Sequence, residues 1–240
     1  MRPVTARCRE FRLIGRNCRK LRRCNGLTLQ SDAWVWIVPR CGRKVHIGLY
    51  FRDLVVPFSP DAVANTFLRK AKEANRPLTP MKLQKLMYFA HGWHLALERS
   101  ACPLVSELVQ AWEYGPVFPS TYQEFKDFGS RSIEREAMEV QYHGGSMKVV
   151  IPTIDSEAAD NPKLDLPFAT AVVNRIWQVY SPHTAKQLSD MTHEVGSPWW
   201  TVREEAKKLT GGVVPRALNI PNELIRDWFN ERFRKTAASK

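Results

Sequence analysis

The sequence predicts a mainly α-helical single domain with a small antiparallel β element, spanning about residues 58–234. Three observations support this fold class. Apolar residues recur at steps of three and four in several separate segments, which is the period of a helix. A capping residue followed by proline, typical of a helix start, precedes several of these segments. A Gly-Gly pair is flanked by two runs of alternating character, which is typical of a β-hairpin.

The two helices nearest the start of the domain have the clearest patterns. The first is predicted from Pro60 to about Glu73, after the N-cap residue Ser59. The second, from Pro80 to Leu97, carries apolar residues around most of its circumference. We therefore expect neighbours to cover it on more than one side and place it at the centre of the core. Lys82 and Lys85 are assigned to its remaining polar face.

The later elements rest on the same local signals of caps, glycines and periodicity. In order, we expect a helix from Pro119 to Phe128, a hairpin of residues 139–143 and 147–151, an exposed loop over residues 155–165, a helix from Pro167 to Tyr180, a short helix started by Ser181 and Pro182, a helix from Trp199 to Leu209 ended by Gly211, a helix from Pro221 to Phe233, and a frayed tail over residues 234–240.

The charge of the chain is concentrated in its first quarter. Residues 1–57 contain 13 Lys and Arg against 3 Asp and Glu, a net charge of +10, whereas residues 58–240 contain 23 against 21, a net charge of +2. Four of the 5 cysteines also lie in the first quarter, without a C-x-x-C pair. This scattered, odd set predicts neither a zinc site nor a disulfide framework, so we expect a reducing, cytoplasmic compartment. No apolar run reaches the roughly 18 residues that a membrane span needs.

Residues 1–55 are predicted to be a basic N-terminal extension and residues 56–240 the domain itself. The next methionine after Met1 is Met81, yet the patterned sequence opens just after Val56. Because a valine codon can also initiate translation, we hypothesise that translation begins at Val56 and that the extension is not part of the natural product. Mass spectrometry of the native protein should then find an N-terminal peptide that reads Met-Pro-Phe-Ser-Pro. A peptide spanning Arg40 to Arg52 would contradict this hypothesis.

The most distinctive stretch is Ala-Trp-Glu-Tyr-Gly-Pro-Val at residues 111–117. It cannot lie inside a helix, because Pro116 lacks an N–H and its ring would strike the preceding turn. We therefore expect the chain to leave regular structure here as a buried elbow. Gly115 would supply a backbone geometry that a residue with a Cβ resists. Aromatic residues on irregular backbone favour a binding role over simple packing.

Two groups of polar residues were considered for chemistry. His91, His94 and Glu98 fall on one helix at steps suited to a metal, but no fourth ligand lies nearby in sequence. Asp190, His193 and Ser197 have catalytic residue types, but no G-x-S-x-G elbow accompanies them, and a capping role for Ser197 or His193 explains them as well. We predict no catalytic residue, no metal and no cofactor.

Three separated motifs together resemble a known family. They are residues 78–93 (Leu-Thr-Pro-Met-Lys-Leu-Gln-Lys-Leu-Met-Tyr-Phe-Ala-His-Gly-Trp), the elbow at 111–117, and residues 188–199 (Leu-Ser-Asp-Met-Thr-His-Glu-Val-Gly-Ser-Pro-Trp). In this order they are similar to the Panacea domain of the SocA-like antitoxins, also labelled phage-associated proteins. The resemblance covers about Phe58 to Phe229.

The resemblance implies a non-enzymatic antitoxin that binds a protein toxin from a neighbouring gene and, in some members, delivers it to a protease such as ClpXP. The toxin-binding candidates are Trp112, Tyr114, Gly115, Pro116, Val117, Trp93, His193 and Trp199. For each single aromatic residue, packing in the core remains an alternative. A second function also stays open, a nucleic-acid-binding regulator that uses the basic N-terminal segment with strong salt dependence. Nucleic acid is not the partner we expect.

Overall fold

A computed structural model describes residues 56–97, 102–143 and 145–238 and confirms the mainly helical fold class with small antiparallel β elements. The predicted extension, residues 1–55, lies outside the described residues. In chain order the described elements are α1 (Pro60–Glu73), α2 (Pro80–Leu97), β1 (Gln110–Trp112), β2 (Gly115–Val117), α3 (Pro119–Phe125), a 3-10 turn (Lys126–Phe128), β3 (Glu139–His143), β4 (Ser146–Val150), α4 (Ile154–Asp160), α5 (Leu166–Tyr180), α6 (Ala185–Thr192), α7 (Pro198–Thr210) and α8 (Asn222–Ala238).

Helix α2 lies at the centre of the domain, as its broad apolar stripe predicted. Helices α1, α3, α5, α6 and α8 and strand β2 all pack against it. Leu83, Leu86 and Met87 are fully buried, and most of the helix is shielded from solvent. A helix covered on all sides is an interior helix, and it need not show a one-sided pattern. Neither α2 nor any other described helix is both long and apolar enough to cross a membrane.

An aromatic cluster joins α2 to the helices that cover it. Phe89 stacks on Tyr180 of α5 with ring centroids 4.4 Å apart, and Trp93 Nε1 donates a hydrogen bond to the Tyr180 hydroxyl at 3.1 Å. Trp93 also meets Phe229 of α8 edge to face at 5.3 Å. Gly92 lies directly beneath the Phe229 ring, where a Cβ would overlap it. The absence of a side chain at Gly92 therefore lets α8 approach α2 closely.

Several helix ends lie where the local signals predicted. The hydroxyl of Ser59 accepts a hydrogen bond from the backbone N–H of Ala62 at 3.1 Å, and that of Ser197 accepts one from Trp200 at 3.2 Å. Gly211 ends α7 in the left-handed conformation at φ +68°. Each of these local caps pairs a backbone group that the end of the helix would otherwise leave without a hydrogen bond.

The predicted loop at residues 155–165 is wrong, because residues 154–160 form helix α4. The hydroxyl of Thr153 accepts from the N–H of Ser156 at 3.2 Å, and the hydroxyl of Ser156 accepts from the N–H of Thr153 at 2.8 Å. This reciprocal cap and the buried side chain of Ile154 stabilise a helix too short to show a periodic pattern.

The start predicted for the short helix α6 is also wrong. Thr184, and not Ser181, caps it through a reciprocal pair of hydrogen bonds with Gln187, while Ser181 closes the end of α5. At the other end of the domain, α8 continues to Ala238 through most of the predicted frayed tail. Three residues assigned to the apolar stripes of α2, α5 and α8 are exposed: Leu97, Val179 and Phe233.

The hairpin predicted around the Gly-Gly pair forms from β3 and β4 and is anchored through a buried asparagine. Strand β3 pairs with β4 in the register Glu139↔Val150. At the base of this hairpin, Asn65 of α1 donates to the carbonyls of Ala137 at 3.0 Å and Pro152 at 2.8 Å and accepts from the N–H of Ala137 at 2.8 Å. All three bonds are buried, so they hold both ends of the hairpin against α1.

Candidate functional site

The motif at residues 111–117 folds as a β-hairpin, so the predicted departure from regular structure is wrong. Strand β1 pairs with β2, with Ala111 opposite Pro116 and Trp112 opposite Gly115, which leaves Glu113 and Tyr114 as the turn. The N–H of Ala111 points away from β2 and donates to Leu218 at 2.7 Å. Ala111 therefore makes no ladder hydrogen bond with the opposite residue of β2. Pro116 occupies that opposite position, where its missing N–H is not needed.

Gly115 has the unusual backbone geometry that the sequence predicts, and the structure adds a second reason for glycine at this position. Its φ of +102° is one that residues with a Cβ rarely adopt. A Cβ built there would lie 2.5 Å from Lys85 Nζ and 2.7 Å from Thr192 Oγ1. The glycine therefore permits the turn geometry and also lets α2 and α6 come against the hairpin.

Side chains from three helical regions hold the carbonyl groups of the hairpin. The pairs of donor and acceptor are Arg203 Nη1 and Ala111 O at 3.3 Å, Trp199 Nε1 and Trp112 O at 2.6 Å, Ser189 Oγ and Tyr114 O at 3.0 Å, and Lys85 Nζ and Pro116 O at 3.2 Å. Each bond fixes one peptide group, so together they hold the short hairpin in one geometry that two three-residue strands would not maintain alone.

His193 and Trp199 brace the turn as a pair of rings in close contact, tilted at 58° to each other. Their ring centroids are 3.9 Å apart. His193 Nε2 lies 3.3 Å from the Glu113 carbonyl oxygen and Nδ1 lies 2.6 Å from the Ser189 carbonyl oxygen. The guanidinium of Arg203 lies over the Trp199 ring, 5.0 Å from its centroid. This arrangement joins the start of α7 and the end of α6 to the turn.

Lys85 lies beneath the hairpin, and its predicted position on a polar face is wrong. The residue is 1% exposed, and strand β2 packs against α2 at this position. Its ammonium group donates to Pro116 O, and no carboxylate in the described part of the chain forms an ion pair with it. Burial lowers the pKa of Lys85 to about 7, since an ammonium ion loses hydration in the interior.

A groove of about 970 Å³ opens beside the hairpin. Aromatic and aliphatic residues form most of its lining: Pro80, Met81, Trp112, Tyr114, Val117, Tyr122, Val214, Pro215 and Ala217. Four basic residues also line it, namely Lys85, Lys126, Arg203 and Arg216, against one acidic residue, Glu113. The groove therefore combines a mostly apolar lining with a net positive charge, which suits it to binding a ligand.

The eight candidate residues occupy three different places. Trp112, Tyr114 and Val117 line the groove. Gly115 and Pro116 are buried behind it, and His193 and Trp199 brace the turn from the rear. Trp93 is separate, since it belongs to the aromatic cluster with Tyr180 and Phe229. The exposed fraction of Tyr114 is 66%, which makes it the most accessible of the aromatic candidates in the hairpin.

Among the described residues, neither the histidines of α2 nor the set Asp190, His193 and Ser197 is gathered into a metal or catalytic cluster. His91 is buried with Nε2 3.0 Å from Asn222 Oδ1, and burial lowers its pKa to about 4. His94 packs on the ring of Phe168, while Glu98 lies outside the described residues. The Ser197 hydroxyl donates to the carbonyl of Thr192 at 2.8 Å and caps α7, so it is not directed at His193.

The sequence contained a signal for Lys85 that the helix pattern alone obscured. Tyr88 and Phe89 widen the apolar stripe of α2, and Lys85 precedes them by three and four residues, on the same face. Its burial therefore follows from the position of those aromatic residues. Ser189 and Arg203 carried no comparable signal, because their carbonyl partners lie 75 and 92 residues away.

Comparisons with known proteins identify related sequences. A family model described as "Antitoxin SocA-like, Panacea domain" matches residues 83–200. This segment includes Lys85, the β1–β2 hairpin and Trp199. The chain is 30% identical over 178 residues to "Antitoxin SocA" of Caulobacter vibrioides (strain NA1000 / CB15N), which covers 74% of this chain and 85% of that protein. No solved structure matches.

Proposed function

Because the chain belongs to the family of SocA-like antitoxins with a Panacea domain, we propose that it is the antitoxin of a toxin–antitoxin pair. In this proposal it binds a protein toxin encoded by a neighbouring gene and neutralises it in the cytoplasm, without catalysing a reaction. The observation that carries the proposal is the match to a protein named as an antitoxin over 85% of that protein's length.

We place the toxin-binding surface on the β1–β2 hairpin and the groove beside it. Tyr114 projects from the turn, and Trp112 forms an edge-to-face pair with Tyr122 at 4.7 Å along the groove. Large aromatic side chains supply much of the binding energy at protein interfaces. The side chains that hold the hairpin carbonyls fix these aromatics before the toxin arrives, which reduces the entropy lost on binding.

The other candidates act through this surface. Gly115 and Pro116 set the backbone path of β2, and His193 and Trp199 hold the turn. We leave Trp93 out of the proposed surface, because its indole N–H is directed to Tyr180 and its ring to Phe229.

Delivery of the bound toxin to a protease such as ClpXP is a second step of the proposal. It rests on family membership and not on a contact in this chain. A toxin that is degraded faster with the antitoxin in protease-proficient cells than in cells lacking the protease would support delivery. An unchanged toxin half-life would leave neutralisation by binding alone.

The growth of bacteria that express the neighbouring open reading frame tests the proposal. Growth should stop with that product alone and resume when the full-length protein is co-expressed, and the two products should co-purify. Tyr114→Ala should weaken the complex by about tenfold or more, because loss of an aromatic anchor costs on the order of 2 kcal/mol. A parallel culture with residues 56–240 asks whether the extension is needed.

Tyr142→Ala is the matched control, since Tyr142 is 75% exposed on the other hairpin. We expect this variant to bind and to restore growth like the original protein. If Tyr142→Ala loses binding and Tyr114→Ala still binds and restores growth, the toxin binds the β3–β4 hairpin instead. If the neighbouring product is neither toxic nor bound, the antitoxin proposal is wrong.

A further inference from the structure

The groove beside the β1–β2 hairpin contains more positive charge than its neighbours neutralise. Lys85, Lys126, Arg203 and Arg216 line it against Glu113 alone. Lys126 donates to the neutral side chain of Gln123 at 2.8 Å, and Arg203 donates to a backbone carbonyl. Within the described part of the chain, no carboxylate lies in ion-pair range of any of the four.

Lys85 adds a charge that stability alone does not favour. The residue is 1% exposed, and its ammonium group donates one hydrogen bond, to Pro116 O at 3.2 Å. A buried ammonium ion without an anionic partner destabilises a fold, and a hydrophobic residue of similar size would cost less. Lys85 also borders the groove, so an anionic ligand there would supply the opposite charge that the fold does not provide.

The apolar part of the lining narrows the class of ligand. Trp112 and Val117 from the hairpin and Val214 and Pro215 from the segment before α8 offer surface suited to aliphatic side chains. A volume of about 970 Å³ accommodates several residues of an extended chain. A free inorganic anion would leave this apolar surface exposed to water.

We propose that the groove binds an acidic peptide segment, with a glutamate or aspartate flanked by apolar residues. Under the function proposed above, on which this step rests, the segment belongs to the toxin. Lys126 and Arg216 at the exposed rim attract the acidic side chain, Lys85 supplies a positive charge at the base, and the aromatic wall takes the flanking residues. The buried charge of Lys85 interacts with an anion more strongly than a charge on an open surface would.

A pair of short fluorescein-labelled peptides tests this proposal with the full-length protein. One contains glutamates flanked by leucines, and the other has glutamine in place of each glutamate. At low salt and pH 6, where Lys85 and the peptide glutamates are both charged, the protein should bind the glutamate peptide about tenfold more tightly, a difference of roughly 1.4 kcal/mol. Lys85→Met and Lys126→Glu should each remove most of that preference. Lys126 is exposed, so its variant tests the groove independently of any change in the core around Lys85.

Lys163→Glu is the control, because it makes the same charge change at an exposed lysine outside the groove lining. The basic extension is identical in every variant, so differences among them report on the groove. Equal loss of preference in Lys163→Glu, or no preference in the original protein, would overturn the proposal. So would a labelled oligonucleotide that loses affinity in Lys126→Glu when the peptides show no preference.

The growth assay separates this proposal from the antitoxin function. If Lys85→Met and Lys126→Glu lose the peptide preference and still neutralise the toxin, the antitoxin function stands and the toxin does not enter the groove. If the peptide preference is present but the neighbouring product is not neutralised, the groove keeps its ligand class and the antitoxin function fails.

Discussion

Substitution of Gly115 by alanine is expected to lower the free energy of unfolding by about 3 kcal/mol and to abolish toxin neutralisation. Strain from the φ of +102° accounts for roughly 1–3 kcal/mol of this loss. The added Cβ would also lie 2.7 Å from Thr192 Oγ1. Thr192 is buried and donates to Ser189 O at 2.7 Å, so it cannot move aside without breaking that bond. Urea denaturation of the purified variant measures the stability, and the growth assay measures neutralisation.

Gly212→Ala is the matched control for this substitution. Gly212 has a similar φ of +111°, but no atom lies within 4 Å of the Cβ that would be added. Its replacement should cost the backbone strain alone and leave neutralisation intact. If both variants lose the same stability and Gly115→Ala still neutralises the toxin, the close contact beneath the hairpin has no energetic or functional role.

Replacement of Lys85 by methionine is expected to stabilise the fold at acidic pH and to remove a pH dependence. Burial lowers the pKa of Lys85 from 10.5 to about 7 in the folded state. Below about pH 7 both states are protonated, and the folded state bears the whole cost of the buried charge. Between about pH 7 and 10.5 the folded lysine releases a proton that the unfolded chain retains, so the original protein gains stability as pH rises, by up to roughly 1.4 kcal/mol per pH unit.

Methionine has no proton to release, and that gain disappears in the variant. Its stability should exceed that of the original protein by about 2 kcal/mol near pH 6, after allowing roughly 1 kcal/mol for the lost hydrogen bond to Pro116, and the difference should shrink or reverse toward pH 9. Urea unfolding at several pH values checks this. Lys163→Met should follow the original protein throughout. Parallel pH profiles for Lys85→Met and the original protein would contradict the expected cost of the buried charge.

These two substitutions are expected to affect binding in the same direction and stability in opposite directions. Gly115→Ala should lose both stability and binding, because it distorts the hairpin that carries the aromatics. Lys85→Met should lose binding while becoming more stable at acidic pH, as expected when a residue serves a ligand at the expense of the fold.

Much of the helical framework could be predicted because its signals are local. Ser59 and Ser197 mark helix starts and Gly211 marks a helix end, and each makes its capping contact within a few residues. The β3–β4 hairpin is equally local. Helix α4 could not be predicted from periodicity, because seven residues are too few to display it. Its stability depends instead on the reciprocal cap of Thr153 and Ser156.

The candidate site could be located in the sequence but not constructed from it. The unusual order of Trp112, Tyr114, Gly115 and Pro116 identified the segment, and the need for glycine was correctly anticipated. Its strands could not be predicted, because three residues each are too few to show alternation. Their pairing is stabilised by side chains that follow 75 or more residues later, such as Ser189 and Trp199.

Local signals predicted the helical fold class, most helix ends and the segment around which the site forms, since each depends on interactions between near neighbours in the chain. Only the packing of distant elements buries Lys85, brings it to Pro116 O, and places α6 and α7 against the hairpin. The physical reason is that burial and hydrogen-bond partners depend on which distant elements pack together. A lysine next to an apolar stripe is a surface residue or an interior charge according to what covers it.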